Sequence, residues 1–192
     1  MERIKENKKE IRTENRNKSH QAVLDMVYTA MFAAVICICS IVSVDIGTVP
    51  VTLQTFAICI AAAILGWKRG TVSVLVYVLL GAVGLPVFAG LKGGIQILTG
   101  PTGGYIIGFI FTAVIVGSAA EIFDRKLIPL VISMALGILV CYAVGTPWFM
   151  YVTKMDFALS LGFCVTPFIP FDAIKIVLAT VIVNRLNKAV KI

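Results

Sequence analysis

The sequence predicts an all-α, polytopic membrane protein with six transmembrane helices, and three observations carry that expectation. Of its 192 residues, 59% are apolar and only 14% charged, with a mean hydropathy of +0.97. A soluble domain carries about a quarter charged residues and about 45–50% apolar ones. Windows 46–67, 70–91, 93–120 and 127–153 contain no Asp, Glu, Lys or Arg. Each is long enough to cross a hydrocarbon core about 30 Å thick, which takes about 20 helical residues. The basic residues sit in short clusters between these windows, as topology signals do. A helical reading is forced, because open sheet edges cannot face lipid and a barrel needs alternating residues.

The elements follow in order. Residues 1–21 hold seven Lys/Arg and four Glu and read as a solvated polar tail, disordered or a frayed helix, on the membrane surface. They are too polar for a cleavable signal peptide. Residues 22–187 form the membrane domain, and 188–192 a short C-terminus. Span one runs from about Ala22 to Val44 and ends at Asp45-Ile46-Gly47, with Asp45 a solvated loop charge. Span two starts near Val49-Pro50, where proline suits a first helical turn, and ends at Gly66. Span three covers about Gly70 to Leu85, and the short link Gly66-Trp67-Lys68-Arg69-Gly70 makes a tight hairpin. Spans four, five and six cover about Pro101–Ile122, Leu127–Trp148 and Phe168–Leu186.

Charge fixes the expected orientation. The tail, the 2–3 loop, the 4–5 loop and the C-terminus carry fourteen of seventeen Lys/Arg, leaving only Lys92, Lys154 and Lys175 elsewhere. The positive-inside bias places both termini in the cytoplasm. On the other side lie a loop with seven glycines in positions 84–104 and the apolar segment Phe149–Pro167, with Asp156 a solvated charge. Apolar outer loops are expected to fold back as lids or re-entrant segments lining a cavity.

Chemistry concentrates at the last span. Lys175 lies ten residues from Arg185, roughly 15 Å into the membrane at about 1.5 Å per residue. Asp172 sits one turn away on the same face. A charge at that depth costs about 2.5–3.5 kcal/mol even on lenient insertion scales, so it must face a partner or a cavity. The pair is either an internal ion pair or a polar anchor for a ligand with an anionic end and hydrogen-bond donors. Gln54, Tyr77, Gln96, Tyr105, Tyr142 and Trp148 could supply hydrogen bonds or stacking. The backbone of the glycine loop, including Gly90, Gly93 and Gly103, can approach a small ligand closely.

Other chemistries lack their residues. Cys37, Cys39, Cys59, Cys141 and Cys164 lie in apolar surroundings without a C-x-x-C pair, and the only histidine, His20, is in the tail. They read as buried small hydrophobes, with no metal site or disulfide expected. No catalytic motif and no phosphate-binding G-x-x-x-x-G-K-[ST] is present. Basic charge spread between apolar runs points away from nucleic acid. In span one, Ala30 and Ala34 form a small-xxx-small pair that suits close helix approach, to a partner or within the fold.

Several stretches fit one family together: GTVPVTLQTF, GWKRG, YVLLGAVGLPVFAG, LTGPTGGYIIGF and PFIPFDAIKIVLA. They resemble the BioY biotin transporter family, the substrate-binding S components of energy-coupling-factor vitamin importers, over about residues 23–187. The resemblance implies an S-component fold and biotin bound near the outer side, with no cofactor of its own. It also implies a transmembrane coupling (T) subunit and two ATPase subunits as partners in the cell membrane. Ala30 and Ala34 are similar to the surface by which S components dock on the coupling subunit. Asp172 and Lys175 match the family's acidic and basic pair. Lys92, Ile95 and Gln96 fall in the least regular part of the glycine loop. A carboxylate such as Asp172 suits the ureido N–H groups of biotin, and Lys175 suits an anion, unless Asp172 merely orients Lys175. An S component for another vitamin, or a membrane enzyme, are the competing readings.

Overall fold

The computed structural model describes the backbone of residues 2–44 and 50–190, and side chains at 14, 16–44 and 50–188. Asp45 lies outside the described residues. The order is α1 (Glu2–Ile41), β1 (Ser43–Val44), β2 (Val51–Thr52), α2 (Gln54–Val83), α3 (Ile95–Thr99), α4 (Gly103–Ile122), α5 (Leu127–Thr153), α6 (Phe157–Cys164) and α7 (Phe168–Val190). Among the described residues the regular structure is helical apart from the antiparallel pair β1–β2, with Ser43 opposite Thr52 and Val44 opposite Val51, and an isolated bridge between Phe88 and Lys92.

Seven helices among the described residues replace the six expected. Among the described residues four stretches are long and apolar enough to cross a membrane: Arg16–Ile41 of α1, α2 counted unbroken across Gly66, α4 and α5. A fifth results if α6 and α7, bent by 42° at their junction, are taken as one span. Several expected boundaries move. The first helix begins at Glu2, so the polar tail continues α1. Residues 43–44 and 51–52 pair as strands, and Pro50 therefore precedes a strand instead of opening a helix. The helix of span five runs on to Thr153 through Pro147. Asp156 caps α6, accepting from the Ala158 amide at 3.2 Å, the preferred use of aspartate at a helix start.

The hairpin between spans two and three is tighter than the five-residue link the sequence suggests. One residue, Gly66 (φ 78°, ψ −179°), breaks α2 into arms 54–65 and 67–83. Gln54 and Tyr77, 23 positions apart, are hydrogen-bonded through Gln54 Nε2 and the Tyr77 hydroxyl. A straight helix would hold them about 35 Å apart. The break exposes helix-end groups that need partners, and two charged side chains from the end of α4 supply them. Arg125 donates from Nε to the Ala63 carbonyl and from a terminal nitrogen to the Ile64 carbonyl, both at 3.0 Å. Glu121 accepts from the Trp67 amide at 3.1 Å. A cation at a C-terminus and an anion at an N-terminus also match the two arms' dipoles.

Small residues set the packing of α4 on α5. A Cβ on Gly108 would lie 2.9 Å from Cys141 Cα, and one on Gly104 3.2 Å from Gly145 Cα. The Thr112 hydroxyl donates to the Gly137 carbonyl at 2.8 Å, joining the same helices. Without a hydrophobic drive between helices in lipid, close approach and such hydrogen bonds hold them together. The face of α1 carrying Ala33, Ile36 and Ser40 packs inward, and the Ser73 hydroxyl of the second arm donates to the Thr29 carbonyl of α1 at 3.0 Å. Ala30 and Ala34 point away from this contact and are exposed.

Gly66→Ala tests the hairpin. The backbone lies in a region open essentially to glycine, and a side chain there costs about 1–3 kcal/mol. The Glu121 carboxylate also occupies the space a Cβ would take. Thermal unfolding in detergent should show a midpoint lowered by about 5 °C or more; an unchanged midpoint would mean the break is not specified by Gly66.

Candidate functional site

A cavity of about 330 Å³ opens between the two arms of α2, the 84–102 segment, and helices α4, α5, α6 and α7. That lies at the small end of small-molecule sites, about 300–1,000 Å³. Aromatic and apolar side chains make most of its wall: Tyr77, Phe88, Tyr105, Ile106, Phe109 and Phe168. Its charged lining residues are Asp172, Lys175 and Lys92. Asp172 and Lys175 are buried and form the floor. Lys92 and Gln96 are exposed and stand at the mouth.

The floor is a closed polar network. Lys175 Nζ donates to Asp172 Oδ1 at 2.8 Å and to the Thr55 hydroxyl at 3.2 Å. Thr55 in turn donates to Asp172 Oδ1 at 3.1 Å, and the Tyr142 hydroxyl donates to Asp172 Oδ2. A carboxylate offers about four acceptor sites and an ammonium three donors. Three of the former and two of the latter are thus engaged by protein. Among the described residues, one acceptor site on Asp172 Oδ2 and one N–H of Lys175 remain.

The walls are ordered by their own hydrogen bonds. The Tyr77 hydroxyl is shared between Gln54 Nε2 and the Ser40 hydroxyl, the latter at 3.0 Å. Its ring meets Phe88 edge-on, with centroids 5.5 Å apart, a favoured aromatic geometry. Tyr105 and Thr146 share a hydrogen bond at 3.1 Å between hydroxyls. Trp148 does not line the cavity; its indole N–H donates to the Gly100 carbonyl at 2.9 Å and ties the loop to α5.

Of the residues singled out in the sequence, Asp172, Lys175, Gln54, Tyr77, Gln96, Tyr105 and Tyr142 converge on the cavity. Gly90, Gly93 and Gly103 do not line it. A Cβ on Gly93 would lie 2.8 Å from the Gly84 carbonyl oxygen, and one on Gly103 2.6 Å from the Leu98 carbonyl carbon. These glycines let the loop fold on itself. Gly90 (φ 70°) sits in the turn that pairs Phe88 with Lys92. Sequence reasoning missed Thr55, which joins both charges of the floor, and the wall residues Phe88, Phe109 and Phe168. A hydroxyl beside Gln54 in a charge-free span was the available signal for Thr55. Among the cysteines, Cys141 and Cys164 line the cavity and Cys59 is buried, and all five are free thiols.

With this geometry in place, comparison with known proteins is decisive. The family model described as "BioY family" matches residues 9–192. The chain belongs to the BioY family. It is 44% identical over 164 residues to the biotin transporter BioY of Thermotoga maritima, covering 85% of this chain and 95% of that one. It is 37% identical to the biotin transporter BioY2 of Lactococcus lactis subsp. cremoris, over 79% of this chain and 84% of the relative. Among solved structures it matches the crystal structure of the S-component for biotin from an ECF-type ABC transporter. That match has a TM-score of 0.79 and 34% identity, and it covers 88% of this chain and 93% of the other. This chain is therefore a multi-pass membrane protein of a transporter family.

The ion pair makes a prediction independent of any ligand. Removing one partner of a buried pair costs about 3–5 kcal/mol, whereas replacing both can be close to neutral. Lys175→Met and Asp172→Asn should each lower the unfolding midpoint of the ligand-free protein, and the double variant should recover part of the loss. Additive losses would show that the two charges are not coupled.

Proposed function

We propose that this chain is the biotin-binding S component of an energy-coupling-factor importer. The carrying observation is an aromatic-walled cavity with a buried Asp172–Lys175 floor, in a chain whose fold matches an S-component for biotin at a TM-score of 0.79. The bicyclic head of biotin suits the apolar walls. Its ureido ring presents N–H and C=O groups side by side, matching the one acceptor site left on Asp172 and the one donor left on Lys175. Both remaining groups belong to an already neutral pair, so the ring needs no charge of its own.

Six crossings complete the reading. The two arms of α2 each count as one, since the chain reverses at Gly66, and α1, α4, α5 and α7 supply the others. Residues 1–21 form the polar tail, 22–187 the membrane domain and 188–192 the C-terminus. Both termini lie in the cytoplasm of a prokaryotic cell, a reading supported by the fourteen basic residues on the tail, hairpin, 4–5 loop and C-terminus. The chain binds and delivers biotin without a cofactor or chemistry of its own. ATP is hydrolysed by two partner ATPase subunits joined through the coupling subunit.

Titration of the purified protein tests the ligand. Biotin should bind at one equivalent per chain, and mass spectrometry should find biotin carried through purification. Saturable binding of a different vitamin with none of biotin would move the chain to another S-component specificity.

The docking surface is tested separately. Ala30 and Ala34 lie exposed on α1, on the side away from the cavity lining, where small residues let a partner helix approach. Ala30→Trp or Ala34→Trp should weaken co-purification with the coupling and ATPase subunits while leaving biotin titration unchanged. Loss of biotin binding with assembly intact would place these alanines in the internal packing.

A further inference from the structure

The floor cannot hold both ends of an extended ligand. Lys175 and Asp172 meet at 2.8 Å, so they reach the same end of whatever enters. Biotin carries its ureido ring and its carboxylate at opposite ends, separated by a chain of methylenes. If the ring occupies the floor, the carboxylate lies elsewhere in the cavity. The division first expected, with Asp172 on the ureido ring and Lys175 on the carboxylate, requires two ends at one place.

Charge accounting within the cavity points to the other contact. Its lining contains two ammonium groups, Lys92 and Lys175, and one carboxylate, Asp172. Lys175 and Asp172 neutralise each other, so the surplus positive charge of the cavity resides on Lys92. Among the described residues Lys92 makes no ion pair. Its position is nonetheless fixed. The Phe88 amide donates to the Lys92 carbonyl at 2.9 Å, and the Lys92 amide returns a bond at 3.3 Å. Phe88 itself is buried against Tyr77, and its ring fills the space beside Gly81. The Lys92 stem passes Gly90 with its Cε 3.7 Å from where a Cβ would sit. That is an ordinary contact distance, and Gly90 is demanded by its φ of +70°, which lets the turn bring Lys92 back to the rim.

We infer that Lys92 is the carboxylate-reading residue of the cavity, selecting ligands with a free acid at the mouth while Asp172 and Lys175 hold the polar head at the floor. This assignment rests on the biotin reading. An exposed ammonium at a cavity rim gives a charge-assisted contact that is screened by salt. It discriminates by charge and leaves head-group recognition to the floor.

Titration of the wild type, Lys92→Gln and Lys92→Arg with biotin and with uncharged biotinamide, at low and high salt, tests it. The wild type should bind biotin up to about fivefold more tightly than the amide, the upper end for an ionic contact at an exposed site. Lys92→Gln should bind the two within about twofold, Lys92→Arg should keep the preference, and high salt should weaken only the biotin complexes that retain a cation at position 92. A Lys92→Gln variant that keeps the full wild-type preference for the acid would overturn the assignment, as would a wild type indifferent to the charge. A wild type that binds neither compound would reject the biotin reading itself, and this inference with it.

Discussion

A carboxylate and an ammonium buried in a charge-free helix bundle constrain everything packed around them. Each would cost several kcal/mol to bury alone, so each must be met by the other and by neutral donors and acceptors. Asp172 and Lys175 come from α7, Thr55 from the first arm of α2 and Tyr142 from α5. Satisfying two charges therefore fixes the relative placement of three helices. α7 presents exposed Ile174, Val177, Leu178 and Val181 on its other side, and this polar contact, with buried Ala179, Thr180 and Val183, orients it. An aliphatic surface alone would allow the helix to rotate with little penalty.

A related rule, that the ends of a broken helix need partners, governs the opposite end of the bundle. Reversing a helix at one residue leaves carbonyls and amides without partners on both sides of Gly66. Arg125 and Glu121 meet them from the end of α4, which means the hairpin and α4 are locked in register before any ligand is considered. Asp124 and Arg125 adopt left-handed conformations, φ 49° and 52°, at a cost of about 1–2 kcal/mol per residue. The two carbonyl bonds made by Arg125 offset that strain and show why a basic residue stands there for a reason beyond topology.

The fold class was legible because it follows from composition: long windows without charge admit only helices in lipid. The floor was legible because Asp172 and Lys175 are expensive at their depth, which singles them out without any structure. Boundaries were harder. Pro50 suits a first helical turn, but proline also stands at the start of strands, and the pairing of Val51–Thr52 with Ser43–Val44 overrides the helical reading. Gly66 and Gly70 both look like hinge residues. Only the first adopts a positive φ, while the second is a point of close approach, a Cβ there lying 2.7 Å from Ala62 Cα. The role of the glycine loop was inverted for the same reason. Sequence shows that glycine permits backbone to approach something, but not whether that something is a ligand or the loop's own carbonyls.

That inversion explains how the mouth of the cavity is built. Gly93 and Gly103 fold the loop tightly, Gly81 admits the Phe88 ring, and Trp148 pins Gly100. Gly81, Gly93 and Gly103 thus hang Ala89, Lys92, Gln96 and Ile97 over a site they do not themselves touch, while Gly100 lines it. The two ends of the cavity then differ in kind. The floor is neutral before a ligand arrives, since its charges are paired, and it offers one donor and one acceptor. Departure of a ligand from such a floor leaves no uncompensated charge behind in the membrane. The mouth carries the surplus charge where water can solvate it, so an empty site costs little there as well. A cavity that is inexpensive to leave empty at both ends suits a protein whose proposed task is to take up a ligand and release it unchanged.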